Sequence, residues 1–156
     1  MYKEKFETLC RASDKLRESN DCSVKALAIV CRQNYQSSHD ALKAQGRKTG
    51  QGTYCERVNV DGSYRSFWDE KENCNSSPQM EKAAKTLGFK FTVVPVSKWS
   101  NNGRSGTVSG IAGNLTRGYY LVFIKGHVLA AHNGEIHDWT AGRKHHVKGV
   151  WKVEKA

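Results

Sequence analysis

The chain has 156 residues, of which 38% are hydrophobic and 26% charged, a balance typical of one globular domain rather than a disordered or fibrous chain. It carries 25 Lys and Arg residues against 15 Asp and Glu, and the net charge of +10 attracts acidic partners. No apolar run approaches the ~18 residues of a membrane span, and the charged N-terminus lacks the apolar core of a signal peptide. We therefore expect a single domain over 1–156, no membrane association and a cytoplasmic location.

Apolar residues at helical spacing, together with capping residues, predict four helices in the first 90 residues. These are residues 3–17, residues 22–32, Tyr35 to Ala44 with Asn34 as N-cap, and Pro78 to Leu87 with Ser77 as N-cap. Between them, Gly46 to Thr53 is a basic, glycine-rich loop. Its glycines lack the GxxxxGK[ST] spacing of a phosphate-binding loop, so the sequence favours a plain connection there.

The rest of the chain predicts an antiparallel sheet. Alternating or apolar runs indicate five strands: Phe89 to Val96, Tyr119 to Ile124, His127 to Ala131, Glu135 to Trp139, and Val147 to Val153. Residues 97–117 are predicted to form a long polar connection. Earlier in the chain, Val58 to Val60 followed by Asp61-Gly62 indicates one further hairpin. Helices followed by an antiparallel sheet predict an α+β fold.

Cys22 is the first candidate for chemistry, because it stands at the expected first turn of an apolar helix. Asn20 or Asp21 can cap that helix, and no Pro or Gly interrupts the run after Cys22. A helix N-terminus carries partial positive charge and unpaired N–H groups. Both favour a thiolate over a thiol, which makes this cysteine a candidate nucleophile. A cysteine at a helix start can equally be a structural residue.

His127 and Asp138 are candidates for the base and for the group that orients it. Asn133-Gly134 predicts a two-residue turn, so that residues pair when their numbers sum to roughly 267. Asp138 then lies two positions from the residue opposite His127, within diagonal reach. His132 adjoins the turn and is expected to be exposed. His137 precedes Asp138 directly, so it points to the other face of its strand, and this alternation favours His127 as the base.

These segments carry a resemblance to papain-like cysteine peptidases. The segment Asn20-Asp21-Cys22-Ser23 before an apolar helix is similar to their nucleophile segment, and Gly126-His127-Val128 with Asp138-Trp139 resembles their His and Asp strands. The whole chain also resembles small papain-like proteins of bacteriophages, which share the loop pattern of Gly46-Arg47 and Gly50-Gln51-Gly52-Thr53. The resemblance implies N-terminal helices packed on a C-terminal antiparallel sheet.

For function, the resemblance implies a Cys-His-Asp peptidase or acyl transferase without a cofactor. Cys22 would be the nucleophile, His127 the base and Asp138 the orienting group, while the Asn20 amide would help to bind the oxyanion. Asn20 lies closer to the cysteine than in the papain pattern. The expected substrate is a protein or peptide, acidic in view of the net charge, and a host cytoplasmic protein if the chain is phage-encoded.

A different reading is a catalytically silent binding module on the same scaffold, with nucleic acid or an acidic protein as its partner. Its candidate surface is basic and aromatic: Trp139, Arg143, Lys144, Lys148 and Trp151. The same residues would contact substrate if the chain is an enzyme, and they could also be a solvated surface with no partner. No recognised nucleic-acid motif is present.

Metal binding is the weakest of the readings. The six histidines and five cysteines include no pair at zinc-ligand spacing, and adjacent His145 and His146 point apart in a strand. We expect no metal site. Most of the cysteines are expected to be small buried hydrophobes or exposed thiols rather than members of a disulfide framework. The sequence does not indicate an oligomeric state.

Overall fold

The computed structural model describes residues 6–59, 73–94, 100–101 and 104–156. In these ranges helices come first and an antiparallel sheet last, which confirms the predicted α+β class. The helices are α1 (Phe6–Lys15), α2 (Cys22–Val30), α3 (Tyr35–Ala44), α4 (Pro78–Thr86) and α5 (Val108–Ile111), with a 3₁₀ turn at Ala112–Asn114. Helices α1 and α3 are the longest of these, with ten residues each, and every described helix is too short to cross a bilayer.

Two of the helices begin where their capping residues predict. The Asn34 side chain accepts a hydrogen bond from the Ser37 N–H at 2.8 Å, and the Ser77 hydroxyl accepts one from the Met80 N–H at 3.3 Å. Pro78 then fits the first helical position, where its missing N–H has no partner to lose. Local capping chemistry therefore fixes the starts of α3 and α4.

The main sheet has five antiparallel strands in the order β3-β9-β6-β7-β8. They are β3 (Phe89–Val93), β6 (Tyr119–Ile124), β7 (His127–His132), β8 (Glu135–His137) and β9 (Val147–Lys155). The other strands form two small ladders: β1 (Glu56–Asn59) pairs with β2 (Asn73–Ser76), and β4 (Ser100–Asn101) pairs with β5 (Arg104–Ser105). Central strands β6 and β7 are mostly buried, as their continuous apolar runs require, and β9 buries its apolar residues while its lysines are less buried.

The β7–β8 hairpin has the predicted register. Ala130 lies opposite His137 and His132 opposite Glu135, which gives the expected sum. Asn133 and Gly134 both have positive φ, 49° and 85°, as a two-residue turn of this hand requires. The Asn133 side chain also accepts a hydrogen bond from the Gly118 N–H at 2.9 Å, which ties the turn to the start of β6.

Helix α2 is the centre of the fold. Seven of its nine residues are buried, and it packs on β7 and β6 as well as on α1, α3 and α4. Leu27 and Val30 are fully buried among the apolar residues of β6 and β7. Since burial of a large apolar side chain contributes about 1.5–3 kcal/mol, this packing fixes α2 relative to the sheet. The first residue of the helix is thereby held over the start of β7.

Three expectations about the chain are wrong. The predicted polar connection over 97–117 contains α5, which Thr107 caps by accepting the Gly110 N–H at 3.1 Å. His132 is half-buried and stacks on the Tyr119 ring at 3.9 Å between centroids, so it is not an exposed turn residue. Trp151 is 9% exposed and donates its indole N–H to the Asn75 carbonyl, so it does not present a free face.

Other predicted bounds shift by a few residues. Helix α1 ends at Lys15, before the 43% exposed Leu16, and β8 ends at His137, before Asp138. Strand β1 does pair in an antiparallel ladder, with β2 as its partner. The turn predicted at Asp61-Gly62, and the end of the strand predicted to reach Val96, lie outside the described residues.

Candidate functional site

Cys22 is the first residue of α2, as predicted, and its side chain is half-buried. Asp21 occupies the N-cap position, but its carboxylate does not cap the helix. It instead accepts the Tyr35 hydroxyl at 2.7 Å and lies 3.3 Å from the Lys25 ammonium. The first-turn N–H groups of α2 are therefore not taken up by a side-chain cap, and their partial positive charge remains at the cysteine.

His127 begins β7, directly after the turn that ends at Gly126, whose φ of +67° favours glycine. Its Nε2 lies 2.8 Å from Oδ2 of Asp138. The Cys22 thiol is close enough to this ring that hydrogen bonding between them contributes to the pKa shift of both groups. Because Nε2 is engaged by Asp138, Nδ1 is the ring nitrogen that is left for the sulfur. The structure thus brings together the three residues that the sequence singled out.

Thr140 holds Asp138 in place, and our sequence analysis did not include this residue in the site. The Thr140 backbone N–H and hydroxyl both donate to Oδ2 of Asp138, at 3.2 and 2.8 Å. Thr140 is fully buried, and Asp138 is 5% exposed. The same carboxylate oxygen therefore accepts three hydrogen bonds, which fix it beside His127. A threonine two residues after Asp138, in the turn that leaves β8, is the local signal that could have predicted these hydrogen bonds.

Cys22 and His127 shift each other's pKa, and Asp138 influences the pKa of each. Burial raises the pKa of the Cys22 thiol, but hydrogen bonds from His127 and from the Val128 backbone outweigh it, and the pKa falls below its ordinary value. Burial lowers the pKa of His127, but its bonds to Asp138 and Cys22 reverse this and raise the pKa to about 9. Both shifts favour a thiolate beside an imidazolium near neutral pH.

The pair opens into a cleft of about 360 Å³, which Phe6, Asn20, Lys25, Gly52 and Trp139 help to line. Cys22 also lines a second, more apolar cavity of about 230 Å³, whose lining includes Phe123, Ile124 and Cys55. The cysteine therefore borders two concave spaces, one mixed in polarity and one mainly apolar. A substrate carbonyl could approach the sulfur from the cleft.

Asn20, the predicted oxyanion donor, lines this cleft beside Cys22. Its amide nitrogen donates one hydrogen bond to the Gly50 carbonyl at 3.0 Å, which leaves its second N–H for another acceptor. The residue has a φ of 51°, in the left-handed region that Asn tolerates better than most residues. Its role in catalysis stays a prediction.

A buried ion pair anchors the glycine-rich loop beside the cleft. Both carboxylate oxygens of Glu18 accept from the Arg47 guanidinium, at 2.9 and 3.2 Å, and Glu18 also accepts the Gly50 N–H at 2.8 Å. Both side chains are almost inaccessible, at 0% and 1% exposed. Hydrogen bonding by Arg47 is the largest influence that lowers the pKa of Glu18 to about 2. The loop connects this pair to Gly52 in the cleft wall, so it is structural at this point.

The predicted substrate-binding residues differ in their closeness to the cleft. Trp139 is 51% exposed, lies 5.2 Å from the His127 ring, and carries the Arg143 guanidinium 5.6 Å from its own centroid. Lys144 is exposed, and Lys148 is half-buried on β9. Neither lysine lines the cleft. Trp139 and Arg143 therefore form the basic, aromatic rim, and the two lysines lie further along the chain.

No group of three or more His, Cys, Asp or Glu side chains suited to a metal ion occurs within the described ranges. The chain matches no protein-family model, and no curated protein or solved structure is significantly similar to it. The geometry around Cys22 is therefore the basis for any functional assignment.

Proposed function

We propose that the chain is a papain-like thiol hydrolase, a cysteine peptidase or acyl transferase that acts on a peptide or isopeptide bond. The observation that supports this most is the chain of contacts from Cys22 to His127 to Asp138 at the edge of an open cleft. A nucleophile, its base and a buried group that orients the base are the parts that this chemistry requires.

In the proposed reaction the Cys22 thiolate attacks the carbonyl carbon, a C–S bond forms, and the carbonyl electron pair moves to oxygen. The Cys22 backbone N–H and the Asn20 amide are the proposed oxyanion donors. The intermediate collapses as the C–N bond breaks, and the leaving amine takes the proton of His127. Water, deprotonated by His127, then attacks the thioester and releases the acid and the thiolate. A second amine in place of water gives acyl transfer.

The proposed substrate is an acidic protein segment. Arg143 and Lys144 are exposed on the loop that follows Trp139, so a negatively charged segment would be attracted to the cleft mouth. A bacteriophage origin and a host cytoplasmic protein as substrate are part of the proposal, and they rest on the sequence resemblance alone.

Thiol mapping followed by a peptide digest tests the proposal. A substoichiometric dose of iodoacetamide at pH 7 should modify Cys22 before the other cysteines, as read by peptide mass spectrometry. A digest of acidic and neutral peptide libraries should then yield cleavage products with the wild type and none with Cys22→Ala. Cys10→Ala, at a half-buried thiol on α1, is the control and should retain activity. Equal labelling of all five cysteines, with no cleavage, would refute the assignment.

A binding module without catalysis is the second candidate, because Trp139 and Arg143 form an exposed cation–π pair next to the cleft. This reading predicts that Cys22→Ala binds an acidic protein or nucleic acid as tightly as the wild type does. It also predicts that Trp139→Ala abolishes that binding and that neither protein cleaves a peptide. If the wild type cleaves a peptide and Cys22→Ala does not, the result supports the enzyme and contradicts the binding module.

A further inference from the structure

A second concave site lies at the opposite end of α2 from Cys22. Its lining comes from the residues just after α2, the start of β6 and the end of β9: Arg32, Arg117, Gly118, Lys152, Glu154 and Lys155. The cavity has a volume of about 430 Å³ and is open to solvent. Helix α2 has nine residues, so its two ends lie roughly 13 Å apart. The site is therefore separate from the thiol cleft and independent of the proposed function.

Arg32 is held in a fixed position at this site. Its guanidinium carbon lies 4.5 Å from the Tyr119 ring centroid and 5.7 Å from that of Phe89, and both rings are buried. The residue adopts a φ of 53°, in the left-handed region that is costly for a side chain with a Cβ. A guanidinium held between two rings loses little further freedom when it binds a ligand.

Among the residues that the structure describes, the same guanidinium has no anionic partner. Its Nε is buried without a hydrogen bond to any of them, and none of their carboxylates lies within ion-pair distance of Arg32, Arg117 or Lys155. A buried N–H without a partner is costly and calls for a ligand or a structural reason. One structural reason exists, since a cation near the C-terminus of α2 is favoured by the helix dipole. The dipole accounts for a positive charge at Arg32, but it provides no acceptor for the Nε–H and does not account for the other cations.

The remaining residues make the site strongly positive. Four cations line it against the single carboxylate of Glu154, which lies 3.7 Å from the Lys152 ammonium and is half exposed. Gly118 has a φ of +93°, and a Cβ there would lie 3.3 Å from Lys152 Cε, so glycine leaves room for that lysine at the rim. A ligand with more than one negative charge would neutralise this excess better than a carboxylate.

We propose that this surface, the Arg32 site, binds a phosphate group. Arg32 would supply the planar fork that fits phosphate oxygens in a bidentate manner, and Arg117, Lys152 and Lys155 would supply the surrounding positive charge. The open shape suits a phosphate carried on a longer molecule as well as a free one. Phosphodiester in a nucleic acid and free pyrophosphate share this chemistry, and the experiment separates them.

The test titrates the wild type with inorganic pyrophosphate by calorimetry and with a labelled 12-nucleotide single strand by fluorescence anisotropy, at low and at physiological salt. The double variant Arg117→Ser/Lys155→Ser changes exposed residues and should weaken binding about tenfold or more. The control Lys43→Ser/Lys82→Ser removes the same charge from exposed positions on α3 and α4, and should weaken binding less than about twofold. Arg32→Lys should also weaken binding, because it keeps the charge but loses the fork.

Binding of pyrophosphate alone identifies a small phosphate ligand, and binding of the oligonucleotide with competition by pyrophosphate identifies a nucleic-acid backbone. Both results support the site if the Arg117/Lys155 variant is the weaker binder. Equal losses in that variant and in the control would reduce the effect to net charge and overturn the proposal. Absence of saturable binding of either probe to the wild type would overturn it as well. The Cys22 alkylation rate should not change in any of these variants, which separates this test from that of the thiol site.

Discussion

The two ends of α2 carry the same residue type in opposite chemical states. Cys22 begins the helix and its pKa is lowered, whereas Cys31 follows the last helical residue and burial raises its pKa to about 12. Cys22 is half-buried and Cys31 fully buried, and burial by itself raises the pKa of each. The difference lies in the partners: His127 and the Val128 backbone hydrogen-bond the Cys22 sulfur, while Cys31 has only the charge of Arg32 nearby to lower its pKa.

In this chain a position at a helix start lowers the pKa of a thiol because the tertiary structure adds a base beside it. The dipole is favourable to a thiolate at the N-terminus and unfavourable at the C-terminus, but it contributes about 0.3–1 kcal/mol in exposed cases. Hydrogen bonds to a charged group contribute about 1.5–3 kcal/mol. The β7 strand, which delivers both His127 and Val128, therefore matters more to Cys22 than the helix does.

The largest difference in activity should appear between two single variants, Cys22→Ala and Cys31→Ala. Cys22→Ala should abolish peptide cleavage and rapid alkylation without loss of folding, since a small residue at a helix start removes little packing. Cys31→Ala should retain both activities and lower the free energy of unfolding by about 1 kcal/mol, because Cys31 is fully buried. Urea unfolding and iodoacetamide labelling measure the two outcomes. If Cys31→Ala were inactive but stable, the nucleophile would be misassigned.

Removal of the base should make Cys22 behave more like Cys31. The His127→Ala change leaves the burial that raises the Cys22 pKa and removes the hydrogen bond that lowers it most. The pH midpoint of Cys22 alkylation should therefore move upward. Cleavage should fall by about 10²–10⁴-fold. His146→Ala, at an exposed imidazole, is the control and should leave the midpoint in place. An alkylation profile that His127→Ala does not alter would contradict the thiolate–imidazolium pair.

The wild-type pH dependence follows from the same two shifts. The pKa of His127 is raised from 6.5 to about 9, so its contribution to folding is complete below 6.5 and is lost as the pH rises through about 9. The pKa of Cys22 is lowered, so the contribution of its thiolate is lost as the pH falls through that lowered value. Cleavage should therefore be bell-shaped in pH, with an alkaline limb near 9, as measured by kcat/KM from pH 5 to 10.

A smaller effect should follow from loosening Asp138. Thr140→Val keeps the buried shape but removes the hydroxyl that donates to Oδ2 at 2.8 Å. One lost hydrogen bond to a charged group should lower kcat/KM about tenfold, through a less well oriented His127. Thr140→Ser retains the hydroxyl and should restore most of the rate, whereas a purely structural role would leave the serine variant as impaired as the valine variant. The melting temperature of each variant is the control for folding.

Local signals in the sequence predict much of this structure. The Asn34 cap gives the bounds of α3, and the Asn133-Gly134 turn fixes the β7–β8 register, because each depends on residues close together in the chain. The candidate site follows from the same two features: a helix that starts at Cys22 and a hairpin whose register places Asp138 near His127.

The features that the sequence did not predict depend on distant partners. Glu18 and Arg47 are charged, and charged side chains are normally predicted to be exposed. Their bidentate contact allows both to be buried. Trp151 is buried because its indole N–H reaches the Asn75 carbonyl, 76 residues away along the chain. Helix α5 is short and contains Gly110, which hides its helical signal. Asp21 looks like a helix cap, but Tyr35 and Lys25 take its carboxylate.

The smallest effect should come from the basic residues at the cleft rim and beyond it. The triple change of Arg143, Lys144 and Lys148 to Ser removes three cations, of which only Arg143 belongs to the rim, where it contacts Trp139. For an acidic peptide substrate, KM should rise about threefold at low salt while kcat stays unchanged, because exposed charges contribute little each and act before the chemical step. The difference should vanish at about 0.5 M salt, where the Debye length falls well below 10 Å. A neutral peptide is the matched control and should show no change. A salt-independent KM for the acidic peptide would mean that these residues are a solvated surface and do not recruit the substrate to the Cys22 end of α2.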